Sequence, residues 1–184
     1  MIETEHTPNP DTLKFLPGKQ VSEIGPVEFL KNDKNIKNPL ASKILSIEGA
    51  VMVFFGENFI TVKKEKSSKW EDLKHGIIAE INDYYSKGNN VIIKQNKDKL
   101  PKESHLNKSD KIIKKINEVL DSKIRPAVAK DGGDITFKSF RDGIVTVELK
   151  GSCSGCPSST MTLKQGVQNL LCHYIPEVKS VEAS

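Results

Sequence analysis

Apolar residues in this chain recur in two periods, and the change of period marks the elements. Short apolar or alternating runs bounded by turn formers predict strands at Thr12–Leu16 and Val27–Leu30, set apart by Pro17-Gly18 and Gly25-Pro26. Asn38-Pro39 offers an N-cap followed by proline at the first helical position, which predicts a short helix to about residue 47 that stops at Gly49. Residues 51–55 and 59–63, around Gly56-Glu57-Asn58, predict a hairpin with a three-residue loop. Ser68 and Glu71 stand at capping-box spacing for a longer helix, whose Trp70, Leu73, Ile77, Ile81 and Tyr84 share a face, with Gly88 just past its end. Residues 91–93 add a further strand.

The second half repeats the alternation of periods. Ser109 is placed to cap a helix carrying Ile112, Ile116, Val119 and Ile124, and Pro126 is expected to kink or end it. Asp131-Gly132-Gly133-Asp134 reads as a turn. Residues 135–140 and 144–150, around Arg141-Asp142-Gly143, predict a second hairpin with Val145, Val147 and Leu149 on one face. After the loop 151–159 a helix starts near Pro157, with Leu163, Val167, Leu170 and Tyr174 as its buried stripe; Pro176 ends it and residues 178–181 form a last strand. The order is αββαβ, a small sheet covered by helices. Between the halves, 94–108 has Leu100 and Leu106 as its only strongly apolar residues and reads as a flexible linker. The fold class is therefore α+β, two small α+β domains at 1–93 and 109–184 joined by that linker.

Composition narrows the function. Of 184 residues, 36% are hydrophobic and 28% charged. The longest apolar runs, 49–55 and 144–147, are far short of the roughly 20 residues of a membrane span, so no membrane partner is expected. The net charge of +4 divides into −1 for 1–93, +3 for 94–108 and +2 for 109–184. A nucleic-acid binder gathers its charge on one folded face, whereas here the surplus sits mostly in the linker, so no nucleic-acid partner is expected. The acidic start, residues 1–7, has neither the pattern of a secretory signal nor the Arg-rich character of a transit peptide. The expectation is a cytoplasmic protein of bacterial type, or a mitochondrial matrix protein only if a transit peptide has been removed.

The candidate chemistry is in the three cysteines, Cys153, Cys156 and Cys172. An odd, low count with two cysteines three apart points to metal or redox chemistry in a reducing compartment and away from a secreted disulfide framework. Cys153 and Cys156 lie where a strand gives way to a helix, and the unpartnered amides of a helix start favour thiolates. Gly151 and Gly155 permit close backbone approach, and Ser152, Ser154, Ser158 and Ser159 can cap the helix or hydrogen-bond around a bound group. Such a pair has several readings: structural cysteines in a turn, a thiol-disulfide oxidoreductase, a zinc-bridged interaction module, or an iron-sulfur site. The first is costly, since exposed activated thiols are a liability without a use.

Zinc and iron-sulfur sites both want four ligands in their common closed forms, and one chain offers two close thiolates. Cys172 lies about 15 residues into the helix, roughly 20 Å from the loop, and reads as a surface or interface cysteine. His173 is equally distant, and His6, His75 and His105 show no metal spacing. Two chains sharing one site would supply four ligands, which predicts a metal at a homodimer interface held by Cys153 and Cys156 of each copy.

The run Gly151-Ser-Cys-Ser-Gly-Cys-Pro-Ser-Ser-Thr-Met-Thr-Leu-Lys164, with Asp131-Gly-Gly-Asp-Ile135 before it and Pro176-Glu-Val178 after it, resembles the C-terminal domain of NifU-like (Nfu) proteins. The first half resembles the Nfu N-terminal domain in Thr7-Pro-Asn-Pro-Asp-Thr-Leu-Lys-Phe-Leu-Pro-Gly18 and Phe54-Phe-Gly-Glu-Asn-Phe-Ile-Thr-Val62. The resemblance implies a carrier or scaffold and no enzyme. It implies a labile 4Fe-4S cluster, with 2Fe-2S as the other form, bound by Cys153 and Cys156 of two subunits. Its implied partners are an upstream donor scaffold and apo iron-sulfur proteins of the lipoyl synthase or aconitase type. The cysteine-bearing scaffold domain of full-length NifU has no counterpart in residues 1–152, which contain no cysteine, and Cys172 is outside the family motif.

Overall fold

Five strands and two helices make up the first half of the computed structural model, which describes residues 1–89, 92–93, 108–154 and 157–184. The chain divides into two compact α+β units, residues 1–95 and 96–184. Of the expected linker, only Lys108 lies within the described residues, where it opens a helix.

The first unit is an antiparallel sheet in the order β1-β2-β5-β4-β3, built from β1 (Glu3–His6), β2 (Thr12–Leu16), β3 (Val27–Leu30), β4 (Ala50–Phe55) and β5 (Ile60–Lys64). Helices α1 (Pro39–Ser46) and α2 (Trp70–Ser86) complete its core, in which Leu13, Phe15, Val53, Phe55 and Val62 pack with Leu40, Ile44, Leu73, Ile77 and Ile81. α1 starts as predicted: the Asn38 side chain accepts the Ala41 amide at 2.9 Å, and Pro39 follows. α2 departs from prediction. Its N-cap is Lys69, without a side-chain bond, and the Ser68 amide, which Glu71 would have to meet, is spent in a turn on the Glu65 carbonyl at 3.1 Å. The Ser68–Glu71 capping box therefore does not form. The Gly56 amide bonds the Phe59 carbonyl at 2.9 Å, which keeps Phe59 in the loop between β4 and β5. β1 escaped prediction because its residues are polar and largely exposed; it exists through pairing with β2 and the Lys14–Glu5 ion pair of 3.2 Å. The strand expected at 91–93 is reduced, at Ile93, to a parallel bridge with Ser22, and Val91 lies outside the described residues.

The second unit runs α3 (Lys108–Val119), a π-helical turn (Leu120–Ile124), α4 (Arg125–Lys130), β6 (Gly133–Arg141), β7 (Ile144–Gly151), α5 (Pro157–Tyr174) and β8 (Ser180–Ala183). β6 pairs antiparallel and β8 parallel with β7. The αββαβ order holds, with its first helix subdivided. Ser109 lies inside α3 and does not cap it. Pro126 lies where the π-helical turn gives way to α4: the Arg125 amide reaches back five residues to the Leu120 carbonyl, and the missing Pro126 amide falls in the first turn of α4, where none is needed.

The β6–β7 connection is tighter than expected. Arg141 pairs with Ile144, leaving Asp142 (φ 52°) and Gly143 (φ 80°) as a two-residue turn with both residues left-handed, the type I′ pattern that suits strand twist. A register shift between Phe137 and Ser139 lets Phe137 and Phe140 both pack against the core. On α5 the buried line is Val167 and Leu171, continued by Ile175; Leu163 and Leu170 are half-buried and Tyr174 is exposed, so the stripe lies a fraction of a turn from the predicted one. The last strand is displaced to 180–183 because Val178 is drawn into the core before the ladder begins at Ser180.

Candidate metal centre

The cysteine loop is the continuation of β7. Gly151 ends that strand at φ 70°, and the chain turns at once, with the Ser154 amide and hydroxyl both donating to the Gly151 carbonyl, at 3.2 and 2.9 Å. Ser152 reaches the other way: its hydroxyl donates to the Asp131 carbonyl and its amide to the Gly132 carbonyl at 3.3 Å. The Thr160 hydroxyl, in the first turn of α5, donates to the Cys153 carbonyl at 3.2 Å. Ser152 and Ser154 thus shape the loop backbone, as two of the four candidate serines. The side chains of Ser158 and Ser159 lie outside the described residues.

The wall behind Cys153 is the segment that reads as a simple turn in the sequence. Gly133 pairs with Gly151 across β6 and β7, and a Cβ on Gly133 would stand 2.6 Å from the Lys150 carbonyl oxygen and 2.8 Å from the Cys153 Sγ. Only glycine lets the sulfur lie there. Cys153 is 5% exposed and belongs to the core cluster of its unit, which corrects the picture of an exposed activated thiol.

Next to Gly133, Asp134 is 3% exposed and receives two parallel bonds from Arg125, Nε to Oδ1 at 2.9 Å and Nη2 to Oδ2 at 3.0 Å. Arg125 also donates through Nη1 to Asp121 at 2.9 Å. The bond to Asp134 holds the guanidinium pKa above its ordinary value against the opposing effect of burial. Arg125 was not singled out from the sequence, and Asp134 and Thr160 figured there only within the turn and the cysteine run, with no role of their own. The available signal was an arginine beside a proline at a helix junction, nine residues from an acid within a two-glycine turn.

Cys156 lies outside the described residues. Cys172 is half-buried against the core near the end of α5, and the unbroken helix sets it about 22 Å along the axis from Pro157. His173 adjoins it and stacks edge-on with Tyr174 at 5.1 Å. Among the described residues no group of three or more His, Cys, Asp and Glu side chains is placed to hold a metal, and no helix is long and apolar enough to cross a membrane. A thiol seated against backbone, in a glycine cradle, fits a soft thiophilic metal or an iron-sulfur cluster, and a four-ligand centre needs sulfur from beyond this set.

Residues 116–182 match the family described as NifU-like domain, and residues 2–88 match the family described as scaffold protein Nfu/NifU N terminal. The human protein named NFU1 iron-sulfur cluster scaffold homolog, mitochondrial, is 44% identical over 182 residues, covering 98% of this chain and 70% of the human one. The chain belongs to the NifU-like (Nfu) family. Two other Nfu relatives are NifU-like protein 4, mitochondrial, of Arabidopsis thaliana, 44% identical over 98% of this chain and 65% of its own length, and the NFU1 homolog of Drosophila persimilis, 45% identical over 98% and 64%. All three are named mitochondrial, which overturns the cytoplasmic expectation of bacterial type. An organelle address is a removable extension, and the composition of a folded domain keeps no trace of it.

Proposed function

We propose that this Nfu protein is a non-catalytic carrier that holds an iron-sulfur cluster, of the 4Fe-4S type, as cargo between two copies of the chain and passes it to apo-proteins. The ligands are Cys153 and Cys156 of each copy. The observation that carries this reading is the seat of Cys153: a sulfur against Gly133 at the end of β7, four residues before α5, with no complete ligand set beside it among the described residues. A site closed only by pairing is also a site that opens when the pair separates, and release is what a carrier requires. The family relationship supports an iron-sulfur cluster as the cargo, since the human and Drosophila relatives are named iron-sulfur cluster scaffold homologs.

The residues divide the work. Cys153 and Cys156 bind iron as thiolates, and Ser152 and Thr160 hold the loop backbone in place. A donor scaffold loads the pair, and an apo iron-sulfur enzyme of the lipoyl synthase or aconitase type takes the cluster by exchanging its own thiolates for these.

The decisive experiment is iron, zinc and acid-labile sulfide analysis on full-length protein purified without oxygen, with the mass measured on the same sample. About four irons and four sulfides per two chains, in a dimer that dissociates when the cluster is removed, is the expected result. Cys153→Ala and Cys156→Ala abolish cluster binding, while Cys172→Ser leaves iron content near that of the parent. A monomer carrying four irons of its own would sink the shared site. Two irons per dimer would reassign the cluster to 2Fe-2S, and zinc without sulfide would favour a zinc-bridged module. A metal-free monomer that reduces disulfides would favour the oxidoreductase reading.

A further inference from the structure

Asp134 poses a question that cluster binding alone leaves unanswered. A carboxylate at 3% exposure needs a partner, and it receives the most directional one available, the two-pronged face of Arg125 at 2.9 and 3.0 Å. The same guanidinium is steadied from outside by Asp121, so three of its nitrogens are committed. Arg125 is delivered by the π-helical turn, an irregularity that shifts the register of every residue after it.

Asp134 is the last residue of the 131–134 segment, and the other three all meet the cysteine loop. Ser152 donates to the carbonyls of Asp131 and Gly132, and Gly133 faces the Cys153 sulfur. The segment is gripped on one side by Arg125 and itself grips Cys153 on the other. We propose that Arg125 is a positioning residue for Cys153: its fork on Asp134 fixes the backbone of 131–134 and thereby the seat of the sulfur that binds the cluster. The proposal rests on Cys153 being a cluster ligand, as argued above. It requires geometry as well as charge, so lysine, which keeps the charge and loses the fork, does not substitute.

The test uses the full-length chain with Arg125→Lys, Arg125→Gln, Asp134→Asn and, as a control that leaves the fork intact, Asp121→Asn. Two rates are read on each at temperatures below its unfolding range. The first is alkylation of Cys153 by iodoacetamide in the cluster-free protein, with Cys156 and Cys172 replaced by serine. The second is cluster loss to a chelator, followed by visible absorption and circular dichroism with all cysteines present. Expected are faster alkylation, cluster loss accelerated about tenfold or more, and an altered visible dichroism spectrum in the Arg125 and Asp134 variants, with Asp121→Asn close to the parent. The proposal is overturned if the Arg125 and Asp134 variants melt earlier yet keep parental alkylation rates, cluster lifetimes and spectra. It is overturned equally if none of the three folds, since the pair would then hold the whole unit and not the sulfur. If the parent chain binds no cluster, the carrier reading fails by itself while the alkylation rates still decide whether Arg125 positions Cys153.

Discussion

Gly133 shows how much a single position decides. Gly143 is also a glycine on this hairpin, but its constraint is conformational: φ is 80°, and an added Cβ would meet mainly the flexible Lys179 side chain, at 2.8 Å. At Gly133 the obstruction is the Lys150 backbone oxygen and the Cys153 sulfur itself. Alanine at either position should lower stability, by about 1–3 kcal/mol at Gly133 through overpacking and about 1 kcal/mol at Gly143 through strain in the turn. Only Gly133→Ala should also reduce iron content, since only there does the new methyl displace the proposed ligand, Cys153; thermal unfolding and iron analysis on both variants separate the two effects. The two cysteines and the two-glycine turn were legible in the sequence as separate motifs. Their contact was not, because residues 133 and 153 meet only through the pairing of Gly133 with Gly151, a register that periodicity alone does not fix.

Elements were legible where local chemistry and tertiary packing agreed. Asn38-Pro39 is a start signal that nothing overrides, and α1 begins there; Ser68 is an equally good signal that loses to a turn with Glu65, and α2 begins at Trp70. The difference is measurable. Asn38→Ala should cost about 0.5–2 kcal/mol and Ser68→Ala should cost no cap at all, while Lys69→Asp, which puts an acceptor at the N-cap in use, should stabilise by about 1 kcal/mol. Trp70 is the only tryptophan, so urea unfolding followed by its fluorescence reports on the first unit without interference from the second. β1 and the π-helical turn were illegible for opposite reasons. β1 carries no apolar alternation and is made by its neighbour, whereas the π turn hides inside a good helical pattern, since Ile116, Leu120 and Ile124 are at helical spacing whether or not one turn is widened.

At the scale of the molecule, chemistry and bulk are unequally shared. Every cysteine lies in the second unit, yet the first unit has its own buried core, with Phe15, Phe55, Ile60, Ile77 and Ile81 among its fully buried side chains. A separate core is the physical condition for folding alone, so residues 108–184 should fold and take up the cluster without residues 1–93. A domain without ligands can still act on delivery: by holding an acceptor it raises the local concentration at which the cluster is presented, an effect lost on truncation though the binding chemistry is intact. We therefore expect equally loaded full-length protein and residues 108–184 to have the same cluster spectrum and different transfer rates, the full chain being faster toward acceptors that the first unit recognises. The measurement is transfer to several apo iron-sulfur proteins, followed by acceptor activity. Equal rates with every acceptor would leave the first unit no part in recognition, and an isolated second unit that folds but takes up no cluster would show that the ligands are not confined to it.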